Sequence, residues 1–325
     1  MNFAYKIPQN RHGFQKFVLL LLATTLASVQ VPNGASALPG NSGSSPAVTN
    51  AGKHAKAKIV SSARQKHHSA IATEPLVSCI TPGITANKVV EMTKPFRVLD
   101  QSADEPDPGY TGKAEFVDAQ ARQILVGGKP AIALLATYNA TEESSRIGGQ
   151  VVVLAFFRTV SGKPILMDAV DVATDRFCGF TDNPVLRYKS DNDALVIENS
   201  HFNSSENYCA LTPVALVKNR LVELVKDVPT LYNAKSAGAS MVEEAKFVLG
   251  KQRSSSSSAL IPLSMSIKVI CKTYDQDNGE KVLSSKQKTF LIPFRMHSNT
   301  YSVNLKSKQL TALQDFVKKN GFDTP

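Results

Sequence analysis

The 325 residues carry a net charge of +10, four cysteines, no tryptophan and only 7% aromatic residues. At 42% hydrophobic residues the chain can bury a sizeable core, and past the N-terminal region no apolar run reaches the roughly 18 residues of a membrane-spanning helix. The charge is unevenly spread. Residues 1–74 hold eight of the 37 lysines and arginines and one of the 27 acidic residues, so the rest of the chain is close to balance and no nucleic-acid partner is expected.

The first 37 residues read as a signal peptide. Lys6, Arg11 and Lys16 precede a short apolar stretch from Phe17 to Val29, and Ala35-Ser36-Ala37 supplies the small-residue pattern that a signal peptidase cuts. Cleavage is expected after Ala37, with a soluble periplasmic or extracellular product that does not span the membrane. No cysteine flanks the cut to carry a lipid, and no arginine pair precedes the apolar stretch, so general secretion fits better than twin-arginine export.

Residues 38–74 form a basic Ser/Ala/Gly-rich segment with few large apolar side chains, too few to offset the entropy of ordering it. Lys53, Lys56, Lys58, Arg64 and Lys66 make it a candidate tether to an anionic envelope polymer or membrane surface. A solvated linker is the plainer reading.

From residue 75 to 325 the pattern predicts one β-rich domain. "GGQVVVLAFFRTV" (148–160) and "ILMDAVDVA" flank a glycine turn at Ser161-Gly162. "DALVIENSH", "YCALTPVALV" and "LVELV" continue a meander, and "SIKVICKTYD" runs into an Asn278-Gly279 turn. "KTFLIPFRM" and "TYSVNLK" make a further hairpin. "SMVEEAKFVLG" suits either a helix or a strand. Ser254–Ser258 reads as an insertion. "GKPAIALL" and "GKPILMDA" resemble two copies, but recurrent glycine turns explain them without a repeat. Near the C-terminus, Leu310, Leu313, Phe316 and Val317 share one helical face, with Ser307 as N-cap and Gly321 beyond the end. The expected fold is therefore mainly β, with antiparallel meander and hairpin sheets in a sandwich- or propeller-like arrangement and a C-terminal amphipathic helix.

"ENSHFNSSENY" (198–208) is the densest polar stretch. Strand alternation puts Glu198 and His201 on opposite faces, which breaks a Glu–His dyad, and Asn and Ser at 203–207 suit a hairpin tip. With only His201 and His297 in the domain, no multi-histidine zinc site is expected. "DQDNGE" lacks the ligand pattern of a calcium loop. No nucleophile elbow or phosphate-binding glycine loop is present, and Ser285-Lys286-Gln287-Lys288 has Ser-x-x-Lys spacing without the apolar helix that would activate a lysine.

Cys79, Cys178, Cys209 and Cys271 are an even set in an exported chain, so disulfides are expected, with the pairing open. Buried free thiols are the alternative. Asn139 and Asn203 head glycosylation sequons that matter only in a eukaryotic secretory pathway.

These features support a non-enzymatic binding or interaction module of the cell envelope, with no cofactor. The alternative is a secreted or periplasmic hydrolase whose catalytic residues come from separated loops, with Asp171, Asp175, His201 and Glu206 as the polar-site candidates. A deep cleft joining Asp171, Asp175, His201 or Glu206 would favour the enzyme, and a smooth surface would favour binding.

Overall fold

Along residues 263–271 every second side chain is buried, the period of a strand with one face in a core. That pattern, repeated in neighbouring strands, organises the computed structural model, which describes residues 71–83, 89–99, 109–141, 149–202, 206–226, 228–236, 238–251, 259–275 and 281–322. The signal peptide with its cut after Ala37, the basic segment before residue 71, the tip at 203–205 with its Asn203 sequon, the Ser254–Ser258 insertion and the Asn278-Gly279 turn lie outside the described residues.

Among the described residues helix α1 (Glu74–Ile80) comes first. A five-stranded antiparallel sheet follows in sequential order: β1 (Val89–Met92), β2 (Gly112–Val126), β3 (Lys129–Ala140), β4 (Gln150–Val160) and β5 (Lys163–Asp171). The second sheet holds β6 (Phe177–Lys189), β7 (Asn192–Phe202), β8 (Glu206–Val217), β9 (Arg220–Glu223), β10 (Val225–Lys226), β11 (Leu231–Ser236), β12 (Ala239–Leu249), β13 (Leu263–Tyr274), β14 (Val282–His297) and β15 (Thr300–Val303). Its order is β10-β15-β14-β13-β12-β11-β8-β7-β6, with β9 also paired to β8. Helix α2 (Lys308–Lys319) closes the chain. The result is mainly β and sandwich-like. "SMVEEAKFVLG" resolves as strand β12, because Met241, Glu243, Ala245 and Phe247 turn alternately inward.

Turn chemistry sets the hairpins. Ser161 and Gly162 both take positive φ, 50° and 77°, as do Lys218 and Asn219 at 52° and 64°. Two successive left-handed residues match the right-handed twist of the strands they join. The two Gly-Lys-Pro segments each open the second strand of a hairpin in the same sheet, β3 and β5.

Three cores result. Leu135, Leu154 and Phe156 of the first sheet meet Leu195, Ile197 and Val214 of the second, forming the layer between sheets. The opposite face of β3 and β4, with Leu134, Tyr138, Val153 and Phe157, packs against Leu76 and Val77 of α1. Tyr138 is wholly buried, and its hydroxyl shares a 2.9 Å hydrogen bond with Thr81 just beyond α1. The third core lies inside the second sheet, where Met265, Ile267, Val269, Phe290 and Ile292 meet Leu310, Leu313 and Val317 of α2. Ser307 caps α2 as the sequence predicts, its Oγ accepting the Leu310 N–H at 3.2 Å.

Among the described residues, two polar ties join the sheets. Asp168 on β5 accepts the Leu221 N–H of β9 at 2.6 Å and is ion-paired with Arg97 at 2.8 Å. At the other tie the buried Asp193 accepts the Leu125 N–H at 2.7 Å and pairs with Arg187.

The expected disulfides are not formed. All four cysteines are free thiols, with no pair at bonding distance. Cys178 faces the layer between the sheets and Cys209 and Cys271 the core of the second sheet, while Cys79 is exposed on α1. Each therefore serves as a small side chain in its own surroundings rather than as half of a bridge.

Candidate functional site

Two of the four polar candidates, Asp175 and His201, meet where β5 hands over to β6. Asp171, 1% exposed, closes the end of β5: its Oδ1 accepts the N–H groups of Ala173 at 3.1 Å and Val152 at 3.4 Å. Its backbone also bonds to Arg97 and Leu99. The buried Asn199 of β7 then clamps the connection, donating to the Val172 carbonyl at 3.1 Å and accepting the Thr174 N–H at 3.0 Å.

That clamp delivers Asp175 to His201. Asp175 Oδ1 lies 3.0 Å from His201 Nδ1 and also accepts the Arg176 N–H at 2.7 Å. The His201 ring stacks on Tyr208, its partner across the β7–β8 ladder, with centroids 5.4 Å apart. The Tyr208 hydroxyl is pushed up to about 12, by burial first and then by the charge and hydrogen bond of Asp175. Glu206 sits two residues earlier on β8, opposite Ala234, and its charge acts on Tyr232.

So Asp175 and His201 meet, Tyr208 joins them, and Asp171 stands apart as a buried strand terminator. The two strands also extend further toward the tip than the residue types suggest, to Phe202 and from Glu206, which places His201 inside a strand. The hydrogen bonds of the Asp175 carboxylate go to a histidine, a tyrosine and a backbone N–H, a set that fixes a connection between strands. Among the described residues no group of three or more His, Cys, Asp or Glu side chains is placed to hold a metal ion.

A cleft of about 430 Å³ lies beside this cluster, and none of the four candidates lines it. It lies between the β2–β4 side of the first sheet and the β6–β7 end of the second. Buried Leu135 and half-buried Cys178 and Phe180 give it apolar wall, and Asp118, Gln120, Thr137, Gln150, Glu198 and Ser200 give it polar groups. The β2–β3 register shifts at Val117, so that Val117 and Asp118 both reach the cleft instead of alternating. Phe177 stands at its margin, stacked on Phe202 at 5.3 Å, with the Arg176 guanidinium 5.8 and 5.6 Å from the two rings. Both rings are substantially exposed, 42% and 51%.

Two other features lie deeper in the second sheet. Glu243 is buried on the inward face of β12, and burial pushes its carboxyl up to about 7 against the lowering effect of the Tyr232 N–H that it accepts. A smaller cavity of about 150 Å³ between β13, β14 and the end of α2 is lined in part by Lys286, Lys319 and Cys271. Sequence reasoning missed the cleft, Tyr208 and Glu243. The inward–outward alternation of "MVEEAKF" carried a signal for Glu243, since it places that residue in phase with Met241, Ala245 and Phe247.

No known protein family matches the chain, and no curated protein or solved structure is significantly similar to it.

Proposed function

We propose that the chain is an exported, non-enzymatic binding module of the cell envelope, with the cleft between its two sheets as the ligand site. The observation that carries this reading is the separation of the two polar regions. The Asp175–His201–Tyr208 group is committed to holding the β5–β6 connection, whereas the cleft presents hydroxyl, amide and carboxylate side chains beside apolar wall. Its volume falls within the range of ligand pockets, which combine a few directional polar groups with apolar surface. Export rests on the leader and the cut after Ala37, and the basic segment that follows supplies attraction to an anionic envelope polymer or membrane surface. No described helix is long and apolar enough to cross a membrane.

A second reading, a periplasmic or secreted hydrolase, draws on the Asp175–His201 hydrogen bond, because a carboxylate on Nδ1 orients an imidazole for base catalysis. One experiment separates the two. Small polar fragments are screened by ligand-observed NMR against the wild type, Thr137→Trp, which fills the cleft, and His201→Ala. Fragments that bind the wild type and His201→Ala but not Thr137→Trp support the binding module. Turnover of a model ester, amide or glycoside that disappears only in His201→Ala would establish the hydrolase instead. Protein sequencing that finds the mature N-terminus at Leu38 tests export.

A further inference from the structure

The cavity of about 150 Å³ between β13, β14 and the end of α2 shares no residue with the cleft between the sheets. Lys272, Lys286 and Lys319 all line it, and no described acidic residue does. Strand pairing and the helix end bring them together. Cys271 lies opposite Lys286 and Thr273 opposite Ser284 on the β13–β14 ladder, and α2 ends beside them at Lys319. Burial and the Glu243 charge push the Cys271 thiol up while the Lys286 charge opposes them, so that ammonium stands close to the inner wall.

The three ammonium groups lack partners. Other lysines around these strands have them: Lys268 pairs with Glu244 at 3.0 Å, Lys281 with Asp275 at 3.7 Å, and Lys288 sits over the rings of Phe290 and Phe316. Lys272, Lys286 and Lys319 make no side-chain ion pair or hydrogen bond among the described residues. Two negative features of the surroundings are already occupied. At the end of α2 the carbonyls of Phe316, Val317 and Lys318 accept N–H groups from Asn320 and Gly321. Glu243 does not line the cavity; it accepts the Tyr232 N–H, and a carboxyl raised to about 7 is only partly charged at neutral pH.

The chemistry of the lining then defines the occupant. An ammonium group donates three hydrogen bonds and accepts none. The Thr273 and Ser284 hydroxyls share a 2.8 Å hydrogen bond, which uses one of their two hydrogens and leaves the other to donate. A phosphate group carries close to two negative charges at neutral pH and has oxygens facing several directions, which suits cations converging from two strands and a helix end. A carboxylate offers one charge and two oxygens on one side. The wider field favours an anion as well: residues 239–325 carry 13 lysines and arginines against seven acidic residues, whereas residues 75–238 carry 16 against 19.

We propose that this cavity binds a phosphate group, held by the ammonium groups of Lys272, Lys286 and Lys319 and by the free hydrogen of the Thr273–Ser284 pair. The site is separate from the cleft and does not depend on it.

The test titrates the full chain with inorganic phosphate, glycerol 3-phosphate and acetate at constant ionic strength, read by amide shifts in two-dimensional NMR. Phosphate should shift the amides of 271–273, 284–286 and 319–322 and saturate by about 10 mM, with acetate at least about tenfold weaker. Lys286→Gln with Lys319→Gln should weaken phosphate at least about tenfold, with a melting curve in phosphate-free buffer no lower than the wild type. Lys306→Gln with Lys308→Gln, which removes the same charge from the same half of the chain, should change affinity by less than about twofold. Equal loss in both double variants would show diffuse attraction to a basic surface and overturn the site. Absence of saturation, shifts confined to other residues, or acetate binding as well as phosphate overturns it too. Glycerol 3-phosphate separates the sources: binding as tight as phosphate assigns the site to a phosphate carried on a larger molecule, weaker binding assigns it to the free ion, and either supports the proposal.

Discussion

Asp175 reaches back from the β5–β6 connection to bond His201 on β7, 26 positions along the chain, at 3.0 Å. The contact belongs to the clamp that holds β6 in place beside the cleft. Replacing His201 with alanine removes that bond and the ring stacked on Tyr208, while Asp175 keeps the Arg176 N–H and the Tyr208 hydroxyl. The expected cost is about 1–2 kcal/mol in urea unfolding, the scale of one polar contact plus one ring contact. Ligand affinity in the cleft should change by less than about twofold. Loss of affinity with an intact fold would place His201 in the site.

Glu243 predicts an unusual pH dependence. An ordinary carboxyl near 4.5 is raised by burial to about 7, so the folded state holds this proton more tightly than the unfolded chain. Its contribution is therefore most favourable below about 4.5, declines as pH rises toward 7, and then levels off. Glu243→Gln keeps an acceptor for the Tyr232 N–H without a charge. Wild type and Glu243→Gln should be nearly equal in stability at acid pH, and the variant should be more stable in mildly alkaline buffer by up to about 3 kcal/mol. Urea titrations across that range check this, and a difference independent of pH would refute it.

Asp168 should matter more than its ion-pair partner. Asp168→Ala leaves the Leu221 N–H and the Arg97 guanidinium without their shared acceptor, whereas Arg97→Ala leaves Asp168 still bonded to Leu221. Expected losses are about 2–4 kcal/mol for Asp168→Ala and about 1–2 kcal/mol for Arg97→Ala. Because the residues touch, the double variant should lose less than the sum of the two, as denaturant midpoints would show.

All four thiols should titrate with Ellman's reagent once the protein is denatured, without prior reduction. In the native state Cys79 should react first. Burial pushes the Cys178 thiol far above its ordinary range and the Cys209 thiol up to about 12, which leaves both almost without thiolate at neutral pH. Reduction should leave the melting temperature unchanged. Fewer than four thiols in the denatured, unreduced protein would restore the disulfide reading.

The meander from β7 to β9 and the last hairpin were legible because β-branched runs alternate with turns that have a steric reason, such as Lys218-Asn219. The C-terminal helix was legible from the spacing of Leu310, Leu313 and Val317. Strand β2 was harder to see, since Ala119, Gln120, Ala121 and Arg122 favour helices and only its packing against β3 overrides that preference. β6 contains Gly179, Asp182, Asn183 and Pro184, a breaker-rich composition that an edge strand tolerates and a central one does not. Alternation separated Glu198 from His201 correctly. It could not bring Asp175 to His201, because that contact depends on how Asn199 folds the intervening connection. The disulfide expectation followed from the compartment, and thiol positions are set by packing.

The segment from β9 to β10 carries a consequence for the time course of folding. It pairs β8 at one end, turns at Leu224, and runs parallel to β15 at the other, with Val225 opposite Tyr301. Parallel pairing between segments so distant in sequence must wait for the chain between them to be arranged, and loop closure is paid before the contact rewards it. Until β15 arrives, the backbone of β10 and its neighbours is exposed to wrong partners. The β10–β15 contact is thus expected late, and a chain interrupted before Thr300 would be left with adhesive edges at β10 and β14 in place of a finished sheet.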